Sequence, residues 1–376
     1  MTISKLCTNS LIEFELPIYI NSDSDYLDAV KYKLEKYLEV VRERHLVKQE
    51  VFEQIKGTVN AIIKAIDAYY NADISTAKNL ILSILRRYQN EPFIYSNLNE
   101  SYAFRGLAHI DKDLADDSIR HAPLSFFRAR KGIENYKHTD LLHIPFNQRG
   151  LVGTQRFSIA GVPCMYFGTT SYVCWLEMDK PADREFNISS YILPSNLQIL
   201  NLAIPYNLLF GLSIKEMYKG SLQNMMEIFP LVIATSIKVK EEKRAFHSEY
   251  IISQLIMQSL SDLKIDGIAY ISKRVNGDAL NFLHCVNLAI PMKNNHHSEY
   301  SSFAKEITLT EPVNFAEYKN LKVLPTNMSK RAFVNNFKEY NGEIWYLGMA
   351  RSYNEIEFSK LDDFIVNQPH KRFGEN

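Results

Sequence analysis

The order of apolar and polar positions divides the chain into two textures. Between residues 25 and 88, apolar side chains recur three and four apart, at Leu34, Leu38 and Val41, then at Val51, Ile55, Val59, Ile62, Ile66 and Tyr69. That spacing gathers them on one helical face and leaves Lys, Arg and Glu to the others. The polar step Asn71-Ala72-Asp73 breaks the pattern. A further helix is expected on Ala77, Leu80, Ile81, Ile84, Leu85 and Tyr88, ending at Asn90-Glu91-Pro92. Residues 112–121 are densely charged with weak periodicity, as in a linker or an exposed helix, and a domain boundary is expected near Asp116. After Pro123 come short apolar runs at 164–167, 199–203, 267–271 and 285–290, each bounded by Gly, Pro, Asn or Asp. These predict strands. Helical patterns at 171–178, 214–228 and 249–260 fall between them without a regular βαβ rhythm, so the expected class is α+β. The organisation expected is an N-terminal helical accessory domain over 1–115 and a mixed domain over 116–376.

Composition narrows the function. The 376 residues carry 43 Lys plus Arg and 43 Asp plus Glu, a formal balance of zero that supplies no general attraction to nucleic acid or to an acidic membrane. The basic residues Lys31, Lys33, Lys36, Arg42 and Arg44 alternate with Glu35, Glu39 and Glu43, which reads as a solvated helix face rather than a nucleic-acid surface. A second use of these helices, homo-oligomerisation, stays open. The four cysteines, Cys7, Cys164, Cys174 and Cys285, form no C-x-x-C pair and no metal-binding spacing, so they are expected to be reduced thiols, with no metal cofactor. The first residues lack the pattern of a secretory leader and no apolar run approaches a membrane span, so the expected location is the cytoplasm.

Phosphate-cradling glycine loops are absent: there is no G-x-x-x-x-G-K-[ST] and no G-x-G-x-x-G. H-E-x-x-H and G-x-S-x-G are absent as well. What stands out is a cluster of polar residues among apolar ones. Arg128 and Arg130 follow Phe126 and Phe127 and share one face of a strand. Each needs an anion, water or a carboxylate of its own domain. Glu177 follows Val173-Cys174-Trp175-Leu176 in a short helix, where burial would demand a donor and an outward turn would not. Tyr166 and Ser253 are by default core residues of a strand and a helix.

Together these residues resemble the RES-domain family, named for Arg, Glu and Ser. The resemblance lies in Phe127-Arg128-Ala129-Arg130, in Arg156-Phe157-Ser158 followed by Gly161-Val162-Pro163-Cys164-Met165-Tyr166-Phe167-Gly168 and Trp175-Leu176-Glu177, and in Glu249-Tyr250-Ile251-Ile252-Ser253 with Asp266-Gly267. It spans 123–292, and the spacing of eleven residues from Tyr166 to Glu177 is its most specific part. Ser253 supplies the third letter, preceded by Ile251-Ile252 where many members have proline. The resemblance implies a fold like that of ADP-ribosyltransferase toxins, a split pair of sheets around NAD, and cleavage of the nicotinamide–ribose bond. It also implies a toxin restrained by an antitoxin. Water, phosphate or a macromolecule could accept the ADP-ribose unit. A different class of reading keeps the pocket as a non-catalytic nucleotide-binding module.

Within that resemblance, the residues have roles that chemistry can assign. Nicotinamide leaves NAD as a neutral molecule, so no general acid is needed and one carboxylate, Glu177, can face the cation growing on the ribose. Arg128 and Arg156, with Arg130 in reserve, would hold the two phosphates through planar guanidinium forks. Tyr166 would lie against the nicotinamide ring, and Ser253 would fix Glu177 or a ribose hydroxyl.

Overall fold

The computed structural model describes residues 13–104, 107–110, 125–209, 222–241, 244–277, 282–294, 298–321, 330–335, 338–340 and 343–373. The elements used below are, in chain order, β1 (Ile18–Ile20), α1 (Tyr26–Glu43), α2 (Gln49–Tyr70), α3 (Ile74–Arg86), β2 (Ser125–Lys131), β3 (Cys164–Gly168), α4 (Ser171–Glu177), β4 (Phe186–Ile192), β5 (Gln198–Asn201), α5 (Leu222–Thr235), β6 (Ile237–Val239), α6 (Ile251–Leu263), β7 (Gly267–Ile271), β8 (Val286–Pro291), β9 (Thr308–Thr310), α7 (Glu357–Val366) and β10 (His370–Arg372). The protein is α+β. Its helices and strands follow one another irregularly, as the patterning implies.

The chain forms two compact units that interleave along the sequence. One comprises Met1–Ser96, Thr154–Ile159 and Ile199–Ala279, the other Asn97–Gly153, Ala160–Gln198 and Leu280–Asn376. The boundary expected near Asp116, the charged stretch 112–121 and Cys7 lie outside the described residues, as does the first half of the helical pattern at 214–228.

In the first unit, α1, α2 and α3 turn their expected stripes inward. Leu34 and Val41, then Val51, Ile55, Val59, Ile62 and Ile66, then Ala77, Ile81, Ile84 and Leu85 are all buried, each large aliphatic contributing about 1.5–3 kcal/mol. The break at Asn71-Ala72-Asp73 is a turn with Ala72 at φ 61°, and the Asp73 carboxylate caps α3 by accepting from the Thr76 N–H at 3.1 Å. The alternating charges of α1 pair locally, Lys36 with Glu39 at 2.6 Å. Helix α5 is buried from Met225 to Thr235 and contains Pro230. A proline inside a helix cannot donate to the carbonyl four residues earlier, here that of Met226. The buried hydroxyl of Tyr37 on α1 donates to that carbonyl at 2.8 Å, so a side chain supplies the hydrogen bond the backbone cannot. Parallel pairs β1 with β6 and β5 with β7 complete this unit.

The second unit is built on an antiparallel sheet in the order β10-β9-β4-β2-β3-β8. Seven residue pairs join β2 to β4, from Ser125 with Ile192 to Lys131 with Phe186, whereas the register of β2 with β3 is the single pair Phe127 and Gly168. Phe126, Phe167 and Tyr191 fill one face, with Phe167 and Tyr191 ring centroids 5.1 Å apart. On the other face lies α4, with α7 packed behind it through Phe358, which touches the rings of Tyr172, Trp175, Phe186 and Phe315.

Candidate active site

The site begins with a glycine. A β-carbon on Gly168 would stand 2.4 Å from the Val173 Cγ1, 2.9 Å from the Cys174 sulfur and 3.1 Å from the Thr170 carbonyl oxygen. Only a residue without a side chain lets α4 lie this close to β3. Thr170 then starts the helix: its hydroxyl accepts from the Val173 N–H at 3.2 Å and donates to the His284 carbonyl at 2.6 Å. The helix closes just past Glu177. The Asp179 N–H donates to Leu176 O at 3.0 Å and the Lys180 N–H to Trp175 O at 2.9 Å, with Asp179 at φ 64° in the position usually given to glycine.

Glu177 therefore sits on the last turn of a helix fixed at both ends. The side chain is exposed, so of the two orientations the sequence leaves open the structure takes the outward one. Its charge keeps water on one side, and taking it fully out of water would be costly. On the other side one oxygen accepts a hydrogen bond from the Asn287 amide at 2.6 Å. Asn287 is 4% exposed and stands directly opposite Gly168 in the β8–β3 register, on the face that α4 covers.

Arg128, on β2, is half-buried. Strand alternation points it away from the face that Phe127 shares with Gly168 and α4. Its Nε donates to Leu141 O at 3.0 Å and its Nη1 to Tyr166 O at 3.4 Å, so the guanidinium bridges β2 and β3 where their pairing stops. Among the described residues no carboxylate pairs with it, and three of its five N–H donors remain. Arg128 and Glu177 do not touch. Both fields reach the Cys174 thiol, Glu177 raising its pKa and Arg128 lowering it, beneath a larger upward push from burial. Tyr166 is half-buried on β3 and meets Arg128 through its carbonyl. Arg130 donates to Asp140 O at 2.6 Å and lies over the Tyr136 ring.

Burial favours the neutral form of the thiols and of His143 in this unit. Burial pushes the Cys164 thiol up to about 12 and drives Cys174 and Cys285 in the same direction, so none of these free cysteines is a thiolate near neutrality. Burial also holds the His143 pKa below its ordinary value, with the Arg128 charge adding to the effect. Neutral His143 accepts from the Ser301 N–H at Nε2 and lies 2.8 Å from Ile144 O at Nδ1. It is a packing histidine. Among the described residues no group of His, Cys, Asp and Glu could hold a metal ion, and no helix is long and apolar enough to cross a membrane.

Arg156 and Ser253 belong to the first unit. Arg156 is 9% exposed, donates to Ile271 O at 3.0 Å and to the Ser236 hydroxyl at 3.2 Å, and lies over the rings of Phe157 and Tyr270. Ser253, on α6, is fully buried, and its hydroxyl has no hydrogen bond among the described residues. In the same unit Arg244 grips Glu249 through both Nη atoms at 2.8 and 2.9 Å. Burial pushes the Glu249 carboxyl up, yet the Arg244 hydrogen bonds and the Lys273 charge leave it below its ordinary value. Sequence reasoning missed Asn287 and the roles of Gly168 and α7. A signal existed for Asn287, since it is the polar residue inside the apolar run 285–290. The contact between α4 and α7 spans nearly two hundred residues and left none.

Residues 125–304 match the family model of the RES domain. Across 265 residues the chain is also 30% identical to a curated Bacillus subtilis (strain 168) protein named putative toxin YopC, an alignment covering 66% of this chain and 58% of that protein. The chain thus spans less than two thirds of that relative's length. No solved structure matches.

Proposed function

We propose that the chain is a toxin-like RES enzyme that breaks the nicotinamide–ribose bond of NAD+, with water or phosphate as the acceptor. The observation that carries this reading is Glu177: an exposed carboxylate oriented by a buried amide, at the end of a helix fixed on both sides. A glutamate serving only as a solvated surface charge needs no such anchor. In the reaction the C1′–N bond breaks and its electron pair leaves with nicotinamide, which removes the pyridinium charge while positive charge grows on the ribose. Glu177 faces that charge as an anion, and Asn287 keeps it aimed there. The acceptor oxygen then bonds to C1′; when water is the acceptor, its proton passes to solvent. Arg128, held by two carbonyls with donors to spare, is suited to a phosphate oxygen. Arg156 already gives two of its donors to oxygens of its own unit, and the proposal assigns it no role.

The unpaired thiols among the described cysteines accord with a reducing, cytoplasmic setting. The name of the B. subtilis relative supports the toxin part of the proposal. An antitoxin that restrains NAD loss belongs to the same proposal, as does the likeness of the core to ADP-ribosyltransferases. The test is chromatographic detection of nicotinamide from labelled NAD+, with and without phosphate. Wild-type protein should release it, and Glu177→Gln should release it at least about 100-fold more slowly while still binding NAD+. Equal rates in the two proteins would refute the proposal.

A further inference from the structure

We propose that Asp362, on a C-terminal helix beyond the stretch matched to the RES domain, is a positioning residue that holds the helix carrying Glu177 in its working orientation. This rests on the reading of Glu177 as the catalytic carboxylate.

Asp362 lies on α7 and is 2% exposed. One of its oxygens accepts the backbone N–H of Ser171, the first residue of α4, at 2.9 Å. The other accepts from the Tyr353 hydroxyl at 2.7 Å. The Ser171 hydroxyl donates to Phe358 O at 3.2 Å, one turn earlier on α7. Phe358 itself packs on Trp175, with ring centroids 5.3 Å apart, and on Tyr172 at 5.5 Å. So α7 fixes the start of α4 by two hydrogen bonds and its outer side by two aromatic contacts. A seven-residue helix has little internal stability, and its direction is set by what it touches. Glu177 stands six residues past Ser171 on that short lever, and its hydrogen bond to Asn287 tolerates a displacement of well under about 1 Å. The family match ends at 304, so the clamp comes from a part of the chain that the family model does not include.

The test uses full-length protein and the variants Asp362→Ala and Asp362→Asn. Steady-state NAD+ cleavage gives kcat and KM, and Trp175 emission, read in a Trp345→Phe background, reports α4 without depending on activity. Asp362→Ala should lower kcat about 10- to 100-fold with KM within threefold, and should shift Trp175 emission to the red. Asp362→Asn should restore kcat to within about fivefold and restore the emission, because its amide oxygen still accepts from Ser171 and its NH2 turns the Tyr353 hydroxyl into an acceptor. Asp362→Ala with kcat within twofold and unchanged emission would overturn the proposal, as would an Asn variant no better than Ala. If wild-type protein releases no nicotinamide, the reading of the function falls by itself. The emission shift and its rescue by Asn then support the clamp, and an unshifted spectrum overturns it.

Discussion

Replacing Gly168 by alanine tests the packing on which the site depends. The added methyl carbon would sit 2.4 Å from the Val173 Cγ1 and 2.9 Å from the Cys174 sulfur, where carbon contacts normally settle near 3.5–4.0 Å. Val173 is fully buried, so it has no open space to turn into. The third neighbour is the Thr170 carbonyl at 3.1 Å, a backbone atom held by the same turn that caps α4. Relief therefore requires α4 to rise from β3 by about 1 Å, or the core to absorb the strain at about 1–3 kcal/mol. Urea unfolding should show a lower midpoint with an unchanged slope, the sign of lost stability without a changed denatured state.

Lifting α4 by that distance also takes Glu177 out of reach of Asn287, so NAD+ cleavage should fall with stability. A double-mutant cycle isolates the cause. Val173→Ala alone leaves a cavity and destabilises, but combined with Gly168→Ala it makes room for the new methyl, so the pair should cost about 1 kcal/mol less than the sum. A Gly168→Ala protein within 0.5 kcal/mol of wild type would refute the close-packing argument, and strict additivity in the cycle would refute the identity of the clash.

The other predictions concern single hydrogen bonds. Asn287→Ala removes the donor that aims Glu177, a bond to a charged group of about 1.5–3 kcal/mol, so kcat for nicotinamide release should fall roughly 10- to 150-fold with little change in KM; kcat within twofold of wild type would remove Asn287 from the site. Tyr37→Phe leaves the Met226 carbonyl without the bond that Pro230 denies it, and calorimetric or denaturant unfolding should register a loss of about 1–3 kcal/mol. The same substitution made with Pro230→Ala, which restores a backbone donor, should cost less.

What was legible in the sequence follows from the range of the physics involved. The three N-terminal helices could be read because a 3.6-residue period needs only the residues of one helix. The strands at 164–168 and 267–271 were equally plain, as short apolar runs between turn residues. Glu177 and Arg128 were found through local motif context, and Glu177 proved to have the donor that burial would have required, though not the burial. The interleaving of the two units had no local signature. Residues 154–159 and 199–279 join the N-terminal helices through contacts that no pattern of period or composition encodes. The same holds for Arg156, whose motif position suggests a phosphate ligand while its buried guanidinium serves Ile271 and Ser236.

The supports of α4 explain why an exposed glutamate can still be precisely placed. Water on one side of the carboxylate would let an unanchored side chain sample many rotamers, and holding it in one of them costs free energy that a single hydrogen bond barely offsets. Here the cost is divided among groups that are already ordered. Gly168 sets the height of the helix over the sheet, Thr170 and Asp362 set where it begins, the turn at Asp179 sets where it ends, and Asn287 has only the last rotations of Glu177 to fix. Three of these five are not titratable groups, and the Asp362 carboxylate is buried. The geometry of the carboxylate should therefore depend on packing rather than on ionic strength, while under the proposed function the salt dependence of NAD+ binding should fall to Arg128, whose guanidinium has donors beyond its bonds to Leu141 O and Tyr166 O.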